Sequence, residues 1–295
     1  MAGRERRRQD RTGEDEITNG PRVGIDAGGT KLLLVAQWPD RRLVHRLPTG
    51  IEFSAPQLEA AVRSFIGTLG ATPVLVGVAV PGLVGRDGRV VACDTLPGLV
   101  GWGAEGSLAA GCPVRVVNDA EAALREELHD LPAGATAGVV MVGTGIGAAF
   151  VVGGRLLQGA CGWAGELGSI PMAGQQAVKT LDELASGAAL LKECGVSPES
   201  LRARAAAGDE SILDSVRRAG RALGLGLAAV IDLLNPSVLA LGGGVLDYAG
   251  YLEAAEDAAR HHSLPDLWRV CALRRVRAGE LVAALGAIRD PGPID

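Results

Sequence analysis

Aromatic residues make up only 3% of this 295-residue chain, and no Cys-x-Cys or Cys-x-x-Cys pair occurs among its five cysteines. Cys93, Cys112, Cys161, Cys194 and Cys271 are odd in number and scattered, so their spacing describes neither a disulfide framework nor a paired-thiolate metal site. They read as reduced, mostly buried thiols. No stretch reaches 18 consecutive apolar residues, and no charged, apolar and small succession opens the chain. A membrane span and a secretory signal are therefore not expected, and the protein is expected to be cytoplasmic. A net charge of −5 without a basic face or interleaved aromatics argues against nucleic acid as the main partner. What these absences leave is a globular protein acting on a small, diffusible substrate.

Two things are abundant. Hydrophobic residues reach 47%, enough for the core of one large domain or two ordinary ones. The 43 glycines are about twice the usual share of roughly 7%. No Gly-X-Y period or Gly/Ser linker absorbs them, which places many of them in tight turns or against a ligand.

Residues 1–21 begin with an arginine cluster followed by an acidic one and hold almost nothing apolar, so they are expected to form a disordered tail. From Arg22 the chain reads as strand, turn, strand: "RVGIDAGGTKLLLVA", then "RRLVHRLPT" after a Pro39-Asp40 turn. An amphipathic helix over "APQLEAAVRSFIGTLG", a buried strand in "PVLVGVAVPG", a short strand in "CPVRVVNDA" and a helix in "EAALREELHDL" follow. The opening pattern then recurs in "GVVMVGTGIGAAFVV", residues 138–152: an apolar strand, a Gly/Thr insert, a second apolar strand. Two copies this far apart suggest two related α/β halves rather than a short-period solenoid. Helical "TLDELASGAALLKE", the long helix "SILDSVRRAGRALGLGLAAVIDLL", the strand "SVLALGGG" and a final helix "GELVAALGAIRD" complete the second half.

Three glycine clusters stand at strand ends. Amides in tight turns converge on anions, and glycine permits the close approach of a phosphate. Gly28, Gly29 and Thr30 suit that role, and the preceding Asp26 suits a hydrated Mg²⁺ that bridges phosphates. An ordinary hairpin turn is the alternative for that segment alone. Gly143, Thr144 and Gly145 precede a β-branched stretch rather than a helix, which excludes a dinucleotide fingerprint, and Lys31 follows a threonine, which excludes a P-loop. Gly242, Gly243 and Gly244 follow the strand "SVLAL". Three such turns are what a nucleotide site split between two halves requires.

With those residues in view, the chain resembles the ROK family of sugar kinases, repressors and relatives, within the actin/hexokinase-like (ribonuclease H-like) fold. The stretches that carry the resemblance are "GIDAGGTK", "VPGLV", "VNDA", "VGTGIGAAFVVGGRLLQG", "GELG", "LASGAAL" and "LLNPSVLALGGGV", in the family's order. The resemblance implies two α/β domains with a cleft between them: residues 22–118, joined by the C-terminal helix 279–290, and residues 119–278. It also implies ATP with Mg²⁺ in that cleft, with Asp26 to Lys31 and Gly143 to Gly145 at the phosphates and Gly242 to Gly244 near adenosine. Asp119 takes the place of the catalytic base. A carboxylate at a strand end can accept the proton of an attacking hydroxyl, although "NDAEAAL" would also start a helix well, with Asn118 or Asp119 as its cap. A homodimer is the expected assembly.

The chain also departs from its family. After "GELG" most members have a histidine that touches the sugar and ligates a zinc completed by a cysteine-rich run; here the position is Ser169, and "IPMAGQQAVKTLDELASG" holds no cysteine. No structural zinc is expected. The family's acidic residue in the next stretch is Asp182, one methylene shorter, and an asparagine is replaced by Thr95, while Glu166, Asn118 and Asp119 remain. With the base and phosphate residues kept, the resemblance implies an ATP-dependent kinase acting on a primary hydroxyl of a hexose-like acceptor, and the altered contacts leave that acceptor open between glucose, an amino sugar such as kanosamine, and a cyclitol. The competing reading is a ROK-type regulator or sugar-binding protein. A repressor would carry a helix-turn-helix module of about 60 residues ahead of the first phosphate motif, and only the polar tail precedes Val23.

Overall fold

A computed structural model describes residues 20–104, 108, 111–173 and 177–290. Residues 1–19 of the expected tail lie outside them; Pro21 is buried, and its carbonyl accepts from the Val74 amide at 3.0 Å.

Two buried apolar runs and a more exposed third strand form an antiparallel meander of β1 (Arg22–Ala27), β2 (Lys31–Gln37) and β3 (Arg42–Pro48). Helix α1 (Ala55–Gly67) starts at Ser54, whose amide donates to Gln57 Oε1 at 2.9 Å, and buries Leu58, Val62 and Phe65. Strand β4 (Leu75–Val80) then returns parallel to β1. A small hairpin, β5 (Leu83–Val84) and β6 (Val90–Ala92), precedes β7 (Val114–Asn118), which runs parallel to β4. The sheet order is β3-β2-β1-β4-β7.

Helix α2 (Asp119–Glu127) leaves the end of β7, and the plan repeats. Strands β8 (Ala137–Val142), β9 (Ile146–Val152) and β10 (Arg155–Leu156) form the second meander. A hairpin of β11 (Pro171–Ala173) and β12 (Val178–Thr180) leads to α3 (Leu181–Ala185), α4 (Gly187–Cys194), α5 (Pro198–Ala206) and the long α6 (Glu210–Leu234). Strand β13 (Val238–Gly242) lies parallel to β8; α7 (Tyr251–His262) and α8 (Pro265–Val270) carry the chain to β14 (Ala272–Arg275), parallel to β13. The order β10-β9-β8-β13-β14 repeats that of the first sheet, strand for strand.

Helix α2 joins the two halves. Its Ala120, Ala123 and Leu124 pack with Ala137, Val139 and Ala149 of the second sheet, while Ala122 packs with Ala79 and Val117 of the first. The last helix among the described residues, α9 (Val282–Ala287), returns to the first sheet. It can lie that close because Gly24 and Gly77 carry no side chain: an added Cβ would stand 2.0 Å from the Ala284 carbonyl oxygen or 2.2 Å from that of Ala287.

Several local expectations change. The helix read across 180–193 is two helices, because Ser186 turns the chain and caps α4, its hydroxyl accepting from the Ala189 amide at 3.2 Å. The final helix read over 279–290 is a 3-10 turn, Gly279–Leu281, followed by α9. Helices α5, α7 and α8 and strand β14 were not anticipated. Of the five free cysteines, Cys93 and Cys271 are buried, Cys112 and Cys194 are intermediate and Cys161 is exposed, so the thiols are not mostly buried. Among the described residues no helix is long and apolar enough to cross a membrane, since α6 is amphipathic.

Candidate active site

The two glycine turns of the repeated meanders face each other. A Cβ on Gly29 would stand 3.7 Å from Thr144 Oγ1 and 2.2 Å from Thr95 Cγ2. The β1–β2 turn thus meets the β8–β9 turn, and Thr95, expected at the acceptor, lies against the first glycine turn. The Gly28 amide closes its own turn on the Lys31 carbonyl at 2.9 Å, whereas the Gly29 and Thr30 amides have no backbone partner among the described residues. Those two amides are the donors available to an anion.

Helix α4 reinforces the second turn. The Gly187 and Ala188 amides donate to the Gly143 and Thr144 carbonyls at 2.9 and 3.1 Å, which docks the positive end of that helix on the turn. Only glycine fits there, since a Cβ at Gly187 would stand 2.7 Å from the Gly143 oxygen and 3.0 Å from Val245 Cγ2. Its contact with Val245 brings in the third cluster: Gly242 ends β13, Gly243 has φ +100°, and Gly244 faces open space. The helix N-terminus was the feature not assigned a role from sequence; "Ser-Gly" after a short helical run was its only signal.

Asp26 at the end of β1 and Asp119 at the start of α2 supply the acid groups. Burial first, and then the negative charge of Asp119, push the Asp26 carboxyl up to about 7. Burial likewise pushes Asp119 up to about 6, against an amide bond from Ala120 at 2.8 Å, with Glu166 adding to the rise. Asn118 performs the capping: its Oδ1 accepts from the Ala120 and Glu121 amides at 2.9 and 3.1 Å, and its Nδ2 donates to the Gly82 carbonyl at 2.8 Å. Asp119 is thereby not required as the N-cap.

Glu166 and Asn118 border a cavity of about 490 Å³. Burial and the neighbouring Asp182 raise the Glu166 carboxyl. Asp182, on α3, has its Oδ1 on the Ile146 amide at 2.7 Å, so the shorter side chain is held by the β8–β9 turn region; its other oxygen lies 2.5 Å from where a Cβ on Gly168 would be. Ser169 ends the short 3-10 helix after Glu166 and is exposed. Lys31 Nζ donates to Glu280 Oε2 at 2.7 Å, Arg46 pairs with the other oxygen, and the Lys31 charge also acts on the Asp26 carboxyl, against its rise. The two cations hold the Glu280 carboxyl down at about 2. Among the described residues no group of three or more His, Cys, Asp or Glu side chains is placed to hold a metal by protein ligands alone.

Comparison with known proteins gives this geometry a context. The profile of the ROK family matches residues 22–289. The bifunctional enzyme NanE/NanK of Brucella melitensis is 33% identical over 263 residues, which cover 82% of this chain and 49% of that one. The chain thus spans about half the length of the bifunctional relatives it matches. An N-acetylmannosamine kinase of Escherichia coli is 31% identical over 287 residues, covering 89% of this chain and 97% of that protein. Among solved structures, a hexokinase of the same family from Thermus thermophilus is 32% identical, with a TM-score of 0.72, over 91% of this chain and 96% of that one. The two repeated sheets are the two domains of an actin/hexokinase-like fold.

Proposed function

The chain belongs to the ROK family, and from that premise we propose that it is an ATP-dependent carbohydrate kinase that phosphorylates a primary hydroxyl of a hexose-like acceptor. The observation that carries the reading is the opposition of the Gly29 and Thr144 turns, with the raised carboxyls of Asp26 and Asp119 beside them. The free Gly29 and Thr30 amides favour polyphosphate, while a carboxyl poised near neutrality suits a general base. The relatives named as kinases of N-acetylmannosamine and hexoses support the same class of acceptor.

In this reaction Asp119 takes the proton of the acceptor hydroxyl as that oxygen forms its bond to the γ-phosphorus. The bond to the bridging oxygen breaks, and ADP leaves. Gly29, Thr30 and the second glycine turn hold the phosphates in line and stabilise the spreading charge. Asp26 fits a divalent cation, because a carboxylate disfavoured by burial and by Asp119 gains from a positive partner. Mg²⁺ bound there supplies charge neutralisation at the phosphates. Glu166, Asn118 and Ser169 border the acceptor. Ser169 gives a short hydroxyl where a histidine arm is usual in the family, and it favours substituted hexoses, amino sugars and cyclitols among them, over plain glucose.

A coupled ADP-release assay across glucose, mannose, N-acetylhexosamines, free amino sugars and cyclitols tests the proposal. Turnover with at least one of them is expected. Sugar binding without ADP release from any would favour a regulator.

A further inference from the structure

We propose that the acceptor site continues past one sugar ring into a second subsite floored by Trp163, and that the preferred acceptor is a glycoside or disaccharide whose second ring stacks there. The proposal rests on the reading that Glu166 and Asn118 face the acceptor, and it goes beyond it by naming what lies next to that acceptor.

The cavity of about 490 Å³ does not end at Glu166 and Asn118; it follows β7 from Asn118 back to Val114 and Pro113. Four residue steps of strand span about 13 Å, more than a single pyranose fills. The same cavity is lined by Leu83 and Val84 of β5, Leu156 and Leu157, and Trp163. Trp163 and Leu157, 38% and 37% exposed, both line this cavity. Of the four tryptophans, Trp38 and Trp102 are buried, so in a chain with 3% aromatics the one strongly exposed indole stands at the mouth of the acceptor site.

The backbone that carries Trp163 is tied down. The Ala164 amide donates to the Gln158 carbonyl at 3.2 Å, and the Leu157 amide donates to that of Phe150 at 2.8 Å. Gly165, with φ +109°, lets the loop press onto β9, where a Cβ would stand 2.0 Å from the Ala148 oxygen. An indole on a backbone anchored in this way offers an aromatic face and an N–H, which suits a sugar ring with C–H groups on its faces and hydroxyls on its rim. A short acyl substituent would leave most of the groove empty. A second ring, attached away from the reacting primary hydroxyl, fills it.

The experiment compares the best free hexose with its phenyl glycoside and a disaccharide bearing the same terminal hexose, in the wild type, Trp163→Ala and Trp163→Phe. The expected result is a kcat/KM at least about tenfold higher for the two-ring acceptors, an advantage that collapses in Trp163→Ala and survives in part in Trp163→Phe. A ratio near one in the wild type, or one unchanged in Trp163→Ala, overturns the subsite. Failure of the kinase reading looks different, since no sugar of any size then gains phosphate. In that event tryptophan fluorescence, titrated with the phenyl glycoside without ATP, still decides: a saturable change lost in Trp163→Ala supports the subsite, and no such change overturns it.

Discussion

The ammonium of Lys31 donates to the carboxylate of Glu280 at 2.7 Å, across 249 positions of sequence. The pair ties the first glycine turn to the segment that enters α9. Arg46 completes the cluster.

Because these side chains are largely solvated, the cluster adds little to stability; under the proposed function its effect is on ATP. Glu280→Gln removes a negative charge facing two cations and is expected to lower KM for ATP by about two- to fivefold at low salt, whereas Lys31→Met raises it about tenfold. Steady-state kinetics at two ionic strengths check this. An unchanged KM in both variants would detach Lys31 from the phosphates.

Asp119→Asn is expected to lower turnover by about a hundredfold or more while nucleotide binding persists. The same variant should melt higher without ligands. A folded-state carboxyl near 6 against an ordinary 3.8 means that the folded protein holds its proton longer, so stability falls as pH rises from about 4 to 6 and stays lower above. Thermal melts should show the gain of the variant at pH 7.5 and its shrinkage at pH 4. A loss of stability at pH 7.5 would contradict the burial assigned to this carboxyl.

The pH profile follows from the same group. A general base works only when ionised, so kcat/KM for the sugar should fall as pH drops through about 6. A profile flat to pH 5 would place the base elsewhere.

Gly243 and Gly244 offer a paired test. At Gly243 the φ of +100° and a Cβ position 2.1 Å from the Val142 oxygen leave no room, whereas Gly244 meets nothing within 4 Å. Gly243→Ala should lose about 1–3 kcal/mol in denaturant unfolding, and Gly244→Ala almost none. Equal losses would refute the turn geometry.

How far this architecture is written in the sequence depends on the element. "VGIDAGGTKLLLVA" and "GVVMVGTGIGAAFVV" announce both meanders, because a buried strand shows as an uninterrupted apolar run and the glycine insert as a break in it. Strand β14 hides, since "ALRR" is half charged: Arg274 is neutralised by the buried Glu127 at 2.5 Å, a partner 147 positions away that no local pattern reveals. Asn118 and Asp119 were both plausible caps, and only the chain's path assigns capping to the first and frees the second. The seating of Gly187 on Gly143 and the Lys31–Glu280 pair are long-range contacts, invisible to periodicity. Trp163 reads as an ordinary loop residue until the cavity beside it is seen.

Ser169→His should shift the ratio of kcat/KM values toward glucose, because the longer arm restores a contact the serine cannot make. Progress curves with glucose and the best alternative acceptor measure it. Glucose as the best substrate by a wide margin, with the ratio unmoved, would mean that this position does not set acceptor choice.

The central claim, transfer of a phosphoryl group to a primary sugar hydroxyl with Asp119 as base, is tested most directly by the product itself. The purified chain is incubated with MgATP and its best acceptor, and the product is examined by mass spectrometry and ³¹P NMR, alongside the 6-deoxy analogue and Asp119→Asn. The account predicts a monoester on the primary carbon, none on the 6-deoxy sugar, and only traces from the variant. A phosphate at another position, or undiminished product from Asp119→Asn, would contradict it.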